Sequence, residues 1–144
     1  MLIGIMGENC SGKSTLAGRI QSAVGGEIVS GKDYLRMAKS ESEATALFGR
    51  KLREAVSGDN LIYVISEPEQ LRLLPEGAVR ILVQADLETV KERFRARLRG
   101  NLPAPVERML EKKHGLFDGE AHDYLYDGVS GDADALCRAL GERV

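Results

Sequence analysis

Leu2 to Met6 is an unbroken apolar run that passes without a spacer into Gly7-Glu8-Asn9-Cys10-Ser11-Gly12-Lys13-Ser14-Thr15. A short apolar run closed by glycine predicts a buried strand, and Thr15-Leu16-Ala17-Gly18-Arg19-Ile20 with Ala23 and Val24 predicts a helix after it. Strand, G-x-x-x-x-G-K-S turn and helix together admit few architectures. The glycines tolerate positive φ, so successive backbone N–H groups can turn inward as a nest for an anion. The helix adds its unpaired N–H groups and positive end at the same point.

This spelling is a P-loop, and each residue type has a task in it. Lys13 is expected to place its ammonium between the β- and γ-phosphates of a nucleotide. The Ser14 hydroxyl is placed to ligate Mg²⁺, and Thr15 continues toward the α-phosphate. The nucleotide-binding set is therefore Gly7, Glu8, Asn9, Cys10, Ser11, Gly12, Lys13, Ser14 and Thr15, with ATP and Mg²⁺ as the expected cofactors.

Beyond the loop, strands and helices alternate, which predicts an α/β chain with a parallel sheet covered on both faces. Glu27 to Ser30 is a second short strand, followed by Ser30-Gly31-Lys32-Asp33-Tyr34-Leu35-Arg36-Met37-Ala38 as a turn entering a helix, with Asp33 in an N-cap position. Ser40 to Val56 has an amphipathic pattern. Leu61 to Ile65 is a central strand that Pro68 stops, which leaves Glu67 at its carboxyl end. A short helix over 69–74 leads to a strand over 78–83. Next comes a helix striped with Leu87, Val90, Phe94 and Leu98, whose other side carries Lys91, Arg93, Arg95, Arg97 and Arg99. The Gly100–Pro105 interruption, a helix from Val106 to Lys113, a strand over 124–126 and a closing helix over 132–143 complete the chain.

The 144 residues, 43% hydrophobic and 29% charged, are expected to form one domain over 1–144 that needs no disulfide or metal staple. A net charge of −2 argues against general nucleic-acid binding. Two cysteines, Cys10 and Cys137, form no disulfide framework and no metal spacing, as expected of a cytoplasmic protein. No apolar run approaches a membrane span of about 18 residues. A monomer and a homodimer are both compatible with this composition. His114 and His122 carry no metal-ligand spacing and read as structural.

With the P-loop and the segment after the second strand, the chain resembles the small P-loop kinases of the nucleoside monophosphate kinase group. Residues 30–38 are similar, without a gap, to the S-T-G-D-L-L-R-x-A segment of adenylate kinases, and 81–100 to their strand and lid helix. The resemblance implies a P-loop NTPase fold, a three-layer sandwich with a five-stranded parallel sheet in the order 2-3-1-4-5, and a short lid around 93–108. It also implies that Asp33 lies near the transferring phosphate and that Arg36 binds the acceptor. The chain departs where the group's acceptor motif D-G-F-P-R is replaced by Ser66-Glu67-Pro68-Glu69-Gln70, which removes an acceptor-gripping arginine. Features at Phe117-Asp118 and His122 to Tyr126 resemble guanylate kinases more than adenylate kinases.

Taken together, the expectation is an ATP-dependent transfer of phosphate to a small-molecule acceptor. Lys13, Asp33, Arg93 and Arg97 are the candidate catalytic residues. Asp33, Arg36 and Glu67 are candidates for the acceptor, and Ser14 and Glu67 for the magnesium ion. Arg93 and Arg97 lie four apart on one helical face, so both can turn toward the phosphates; the alternative is a solvated basic face partnered by Glu88 and Glu92. Glu67 reads either as the acid that orders magnesium waters or as a solvated strand-end acid. The rival function is a nucleotide-binding switch or pseudokinase that hydrolyses ATP slowly, separated from the kinase by whether ATP is consumed only with an acceptor.

Overall fold

The structure is a computed structural model and describes residues 1–143. Five strands form one all-parallel sheet in the order β2-β3-β1-β4-β5: β1 Leu2–Met6, β2 Glu27–Ser30, β3 Leu61–Ile65, β4 Val79–Gln84 and β5 Tyr124–Asp127. The expected order holds. The helices are α1 Lys13–Val24, α2 Glu41–Ser57, α3 Leu87–Arg97, α4 Ala104–Lys113 and α5 Ala133–Glu142. Among the described residues no helix is long and apolar enough to cross a membrane.

The period-2 alternation of side chains along each strand divides the core into two layers. Ile3, Ile5, Ile62, Val64, Ile81 and Val83 face Leu16, Ile20, Leu136 and Leu140 of α1 and α5. Leu2, Met6, Leu61, Tyr63, Ile65 and Leu82 face Phe48 and Leu52 of α2, together with Leu71 and Leu74. Because β1 and β3 are buried on both sides, they carry no polar residue on either face except the buried Tyr63 hydroxyl. A third, smaller cluster of Cys10, Ala85, Val90 and Leu110 seats α3 and α4 against the P-loop.

Helix ends follow their capping chemistry. Ser40 Oγ accepts from Glu43 N at α2, Asp86 from Thr89 N at α3, and Asp132 from Ala135 N at α5. Two segments expected as helices are 3₁₀ turns, Asp33–Met37 and Pro68–Leu73. In the first, Ala38 is extended and Ser40 already caps α2, so there is no length for an α-helix. Asp33 is also not an N-cap: Lys32 holds that position and no side chain caps the turn.

Candidate active site

The P-loop crosses the carboxyl end of β1, the central strand, where ligands collect in open parallel sheets. Its fold depends on two left-handed positions, Cys10 at φ 64° and Gly12 at φ 111°. Gly7 is also required, because a Cβ there would meet Ser11 Oγ and Val83 O at 2.7 Å. Gly7 N donates to Ile65 O and Ser11 N to Glu8 O, so the loop is pinned to β3 and to itself. Gly12 provides no side-chain cap and the first turn of α1 carries no acid. The first intrahelical bond is Leu16 N to Gly12 O, which leaves the N–H groups of Lys13, Ser14 and Thr15 without an intrahelical acceptor. Such an uncapped helix start is complementary to an anion.

Lys13 is 5% exposed, and its Nζ donates to Glu8 O at 2.8 Å. Burial pushes its ammonium down to about 8; the charge of Arg97 acts in the same direction, and Cys10, Glu8 and Glu67 oppose it. The Ser14 and Thr15 side chains are exposed. They border a pocket of about 200 Å³ together with Asn9, Gly12, Lys13, Ser66 and Arg97. Beside it lies a second cavity of about 420 Å³ bounded by Arg19, Arg93, Arg97, Tyr126 and Gly128. The two share Cys10, Gly12, Thr15 and Arg97 and so form one continuous depression.

The two arginines of α3 diverge. Arg93 donates to Cys10 O at 3.1 Å and to Gly128 O at 2.8 Å, which ties the P-loop to the loop after β5. Arg97 is exposed and lines both cavities. Gly128 approaches the P-loop so closely that a Cβ would overlap Ser11 O, and its own N donates to Gln84 O at 2.7 Å. Asp127 Oδ1 accepts from Val129 N and Ser130 N, which shapes this loop and holds its carboxyl below the usual range.

At the end of β3, the buried Gln70 accepts from Ser66 N at 3.1 Å and Glu67 N at 3.3 Å, which sets the direction in which the strand leaves the sheet. Glu67 itself pairs with Lys113 at 3.6 Å. At the end of β2, Asp33 and Arg36 are exposed, and neither borders the pocket around Lys13. Their turn is anchored from below: Tyr63 Oη donates to Gly31 O at 2.7 Å, and Tyr34 stacks on Phe48, which meets Tyr63 edge-on. Burial raises the Tyr63 hydroxyl, with Tyr34 and Asp33 adding to it, so it remains a donor at any physiological pH.

Several site features have no local sequence signal. His114 Nδ1 lies 2.9 Å from Glu8 Oε1, so the residue that ends α4 meets the second residue of the P-loop. Burial raises the Glu8 carboxyl, and His114 works against that rise. His122, in contrast, sits against Glu120 O away from this contact. Gln70, Gly128 and Ser66 also join the site without standing out in the sequence.

The fold is that of the small P-loop kinases. Solved structures similar over nearly the full chain include an uncharacterized protein from Eubacterium ventriosum, at a TM-score of 0.69 and 15% identity, covering 99% of this chain and 97% of that one. A gluconokinase from Sinorhizobium meliloti superposes at 0.63 with 18% identity over 99% and 94% of the two chains. A shikimate kinase from Acinetobacter baumannii in complex with shikimate does so at 0.63 with 15% identity over 98% and 90%. No protein-family model matches the chain, and no curated protein matches it in sequence. At these identities the likeness is one of fold, and it does not single out the nucleoside monophosphate kinases.

Proposed function

We propose that this chain is an ATP-dependent, Mg²⁺-dependent kinase of a small molecule, a nucleotide or another small metabolite. The observation that carries the reading is the joint placement of the buried Lys13 ammonium, the exposed Ser14 hydroxyl, the uncapped start of α1 and Arg97 around one 200 Å³ pocket. The kinase names borne by structural neighbours support the same class.

The residues present fit the expected ligands. Lys13, Arg97 and the free N–H groups of α1 are donors for a triphosphate, and the 420 Å³ cavity beside them has room for the nucleoside. Ser14 would hold the magnesium ion. Among the described residues no group of three or more His, Cys, Asp or Glu could hold a metal alone, so the site suits an ion that arrives on phosphate oxygens. When bound, that ion supplies charge neutralisation at the β- and γ-phosphates.

Phosphoryl transfer asks for positioning and charge more than covalent help. Lys13 and the loop amides hold the γ-phosphoryl group in line. The acceptor oxygen bonds to the γ-phosphorus as the bond to the ADP oxygen breaks. Asp33 and Arg36 border none of these cavities. Glu67, next in the chain to Ser66 of the pocket wall, is the carboxylate placed to take the proton of a hydroxyl acceptor, and it would order water near an ion held by Ser14. Arg97 swings over the phosphates, while Arg93 is a positioning residue that keeps the P-loop and the loop after β5 in register.

The test is ADP release from Mg-ATP by purified protein against nucleoside monophosphates, sugar acids and small hydroxylated metabolites, with Lys13→Ala as control. Stimulation by one acceptor class, lost in Lys13→Ala, is the expected result. Nucleotide binding with no acceptor-dependent release would favour the nucleotide-binding switch.

A further inference from the structure

A second depression of about 540 Å³ opens beside the phosphate pocket, between the 3₁₀ turn after β3 and helix α4. Glu67 and Pro68 form one wall, and Arg108, Met109, Lys112 and Leu116 belong to the other. It adjoins the phosphate pocket through consecutive residues, since Ser66 lines one and Glu67 the other.

Charge is sorted around α4. The acids Glu107 and Glu111 turn toward α3, where both lie near Lys91 Nζ, at 3.6 and 3.8 Å. The bases Arg108, Lys112 and Lys113 line the cleft instead. The one carboxylate in the cleft, Glu67, is paired with Lys113. Three cations against one carboxylate leave an excess of two positive charges. Among the described residues Arg108 and Lys112 have no salt-bridge partner. Unpaired bases flanking apolar surface complement a ligand with an anionic head and an apolar body.

We infer that this cleft is the acceptor site, and that the acceptor is an anionic small molecule whose carboxylate or phosphate is gripped by Arg108 and Lys112 while its body packs on Met109 and Pro68. The inference rests on the kinase reading. It also accounts for the segment Ser66 to Gln70, which has no arginine: the grip comes from α4, across the cleft.

The test is the Arg108→Gln/Lys112→Gln double variant. Both side chains are exposed, so the fold is expected to persist. Transfer from Mg-ATP is measured to adenosine monophosphate, gluconate and shikimate, each beside a neutral counterpart: adenosine, glucose and the methyl ester of shikimate. The phosphate and carboxylate arms separate the two anion types. Expected is turnover of at least one anionic member over its neutral counterpart, with kcat/KM in the variant lower by about tenfold to a hundredfold. ATP affinity should be unchanged. Preference for the neutral member, or an unaltered kcat/KM in the variant, would overturn the inference and leave the kinase reading standing. If no member is phosphorylated although Mg-ATP binds, the kinase reading fails, and with it the acceptor role. Calorimetry with the same compounds then decides the anion site separately: binding of an anionic member that the double variant removes retains it, and no binding overturns it.

Discussion

Raising the pH withdraws the proton from Lys13 before it does so from an ordinary lysine, and nucleotide affinity should record it. Burial pushes the Lys13 ammonium down to about 8 in the free protein, from 10.5 for an ordinary lysine. A bound triphosphate favours the charged form, so its affinity tracks the protonated fraction of the free protein. That fraction falls from about nine-tenths at pH ~7 to about one-tenth at pH ~9, a loss of about tenfold in affinity or ~1.4 kcal/mol. At pH ~8 binding should take up about half a proton per site. Calorimetry of Mg-ATP binding in buffers of different ionisation enthalpy measures both quantities. The Lys13→Ala protein should bind weakly and show neither effect. Constant affinity from pH ~7 to pH ~9.5 in the unaltered protein, with no proton uptake, would refute the claim that burial of Lys13 sets the charge of the phosphate site.

Burial of the same charge should cost folding stability. The folded pKa lies below the unfolded one, so the unfolded chain binds more protons between about 8 and 10.5 and stability rises with pH through that window. Lys13→Met should therefore gain up to about 3 kcal/mol at neutral pH and less than about 1 at pH ~10, read by urea unfolding. Arg93→Ala removes two hydrogen bonds to backbone carbonyls and should lose about 1–3 kcal/mol of stability together with nucleotide affinity. Arg97→Ala should change unfolding by no more than about 0.5 kcal/mol and lower kcat instead; equal stability losses in the two variants would contradict their different roles. Gly128→Ala forces a methyl group onto Ser11 O and should cost about 1–3 kcal/mol and weaken nucleotide binding, checked by unfolding and calorimetry.

The parts of this fold written in local pattern were legible in the sequence. The apolar runs of β1, β3 and β4, the P-loop glycines and the amphipathic stripe of α2 each declare themselves within a few residues. The strand order came from resemblance and holds. The two 3₁₀ turns share the apolar spacing of a helix, which alone does not separate one turn from three; for the first, the extended Ala38 and the Ser40 cap do. Long-range pairs were invisible. Nothing near His114 signals that it meets Glu8, a contact made when the turn after α4 packs back over the end of β1. Likewise Arg93 and Arg97 share a helical face in the sequence, yet only the seating of α3, through its buried Val90, against Cys10 and Leu110 decides that one reaches backbone carbonyls while the other stays exposed.

The measurement that bears most directly on the account follows the γ-phosphoryl group itself. Purified protein is incubated with γ-labelled Mg-ATP and each candidate acceptor, and the label is traced to an organic product or to inorganic phosphate. The account predicts label in one acceptor, in equal amount with ADP, and lost in both Lys13→Ala and Ser14→Ala. Label appearing only as inorganic phosphate, or unmoved while nucleotide is bound, would contradict it.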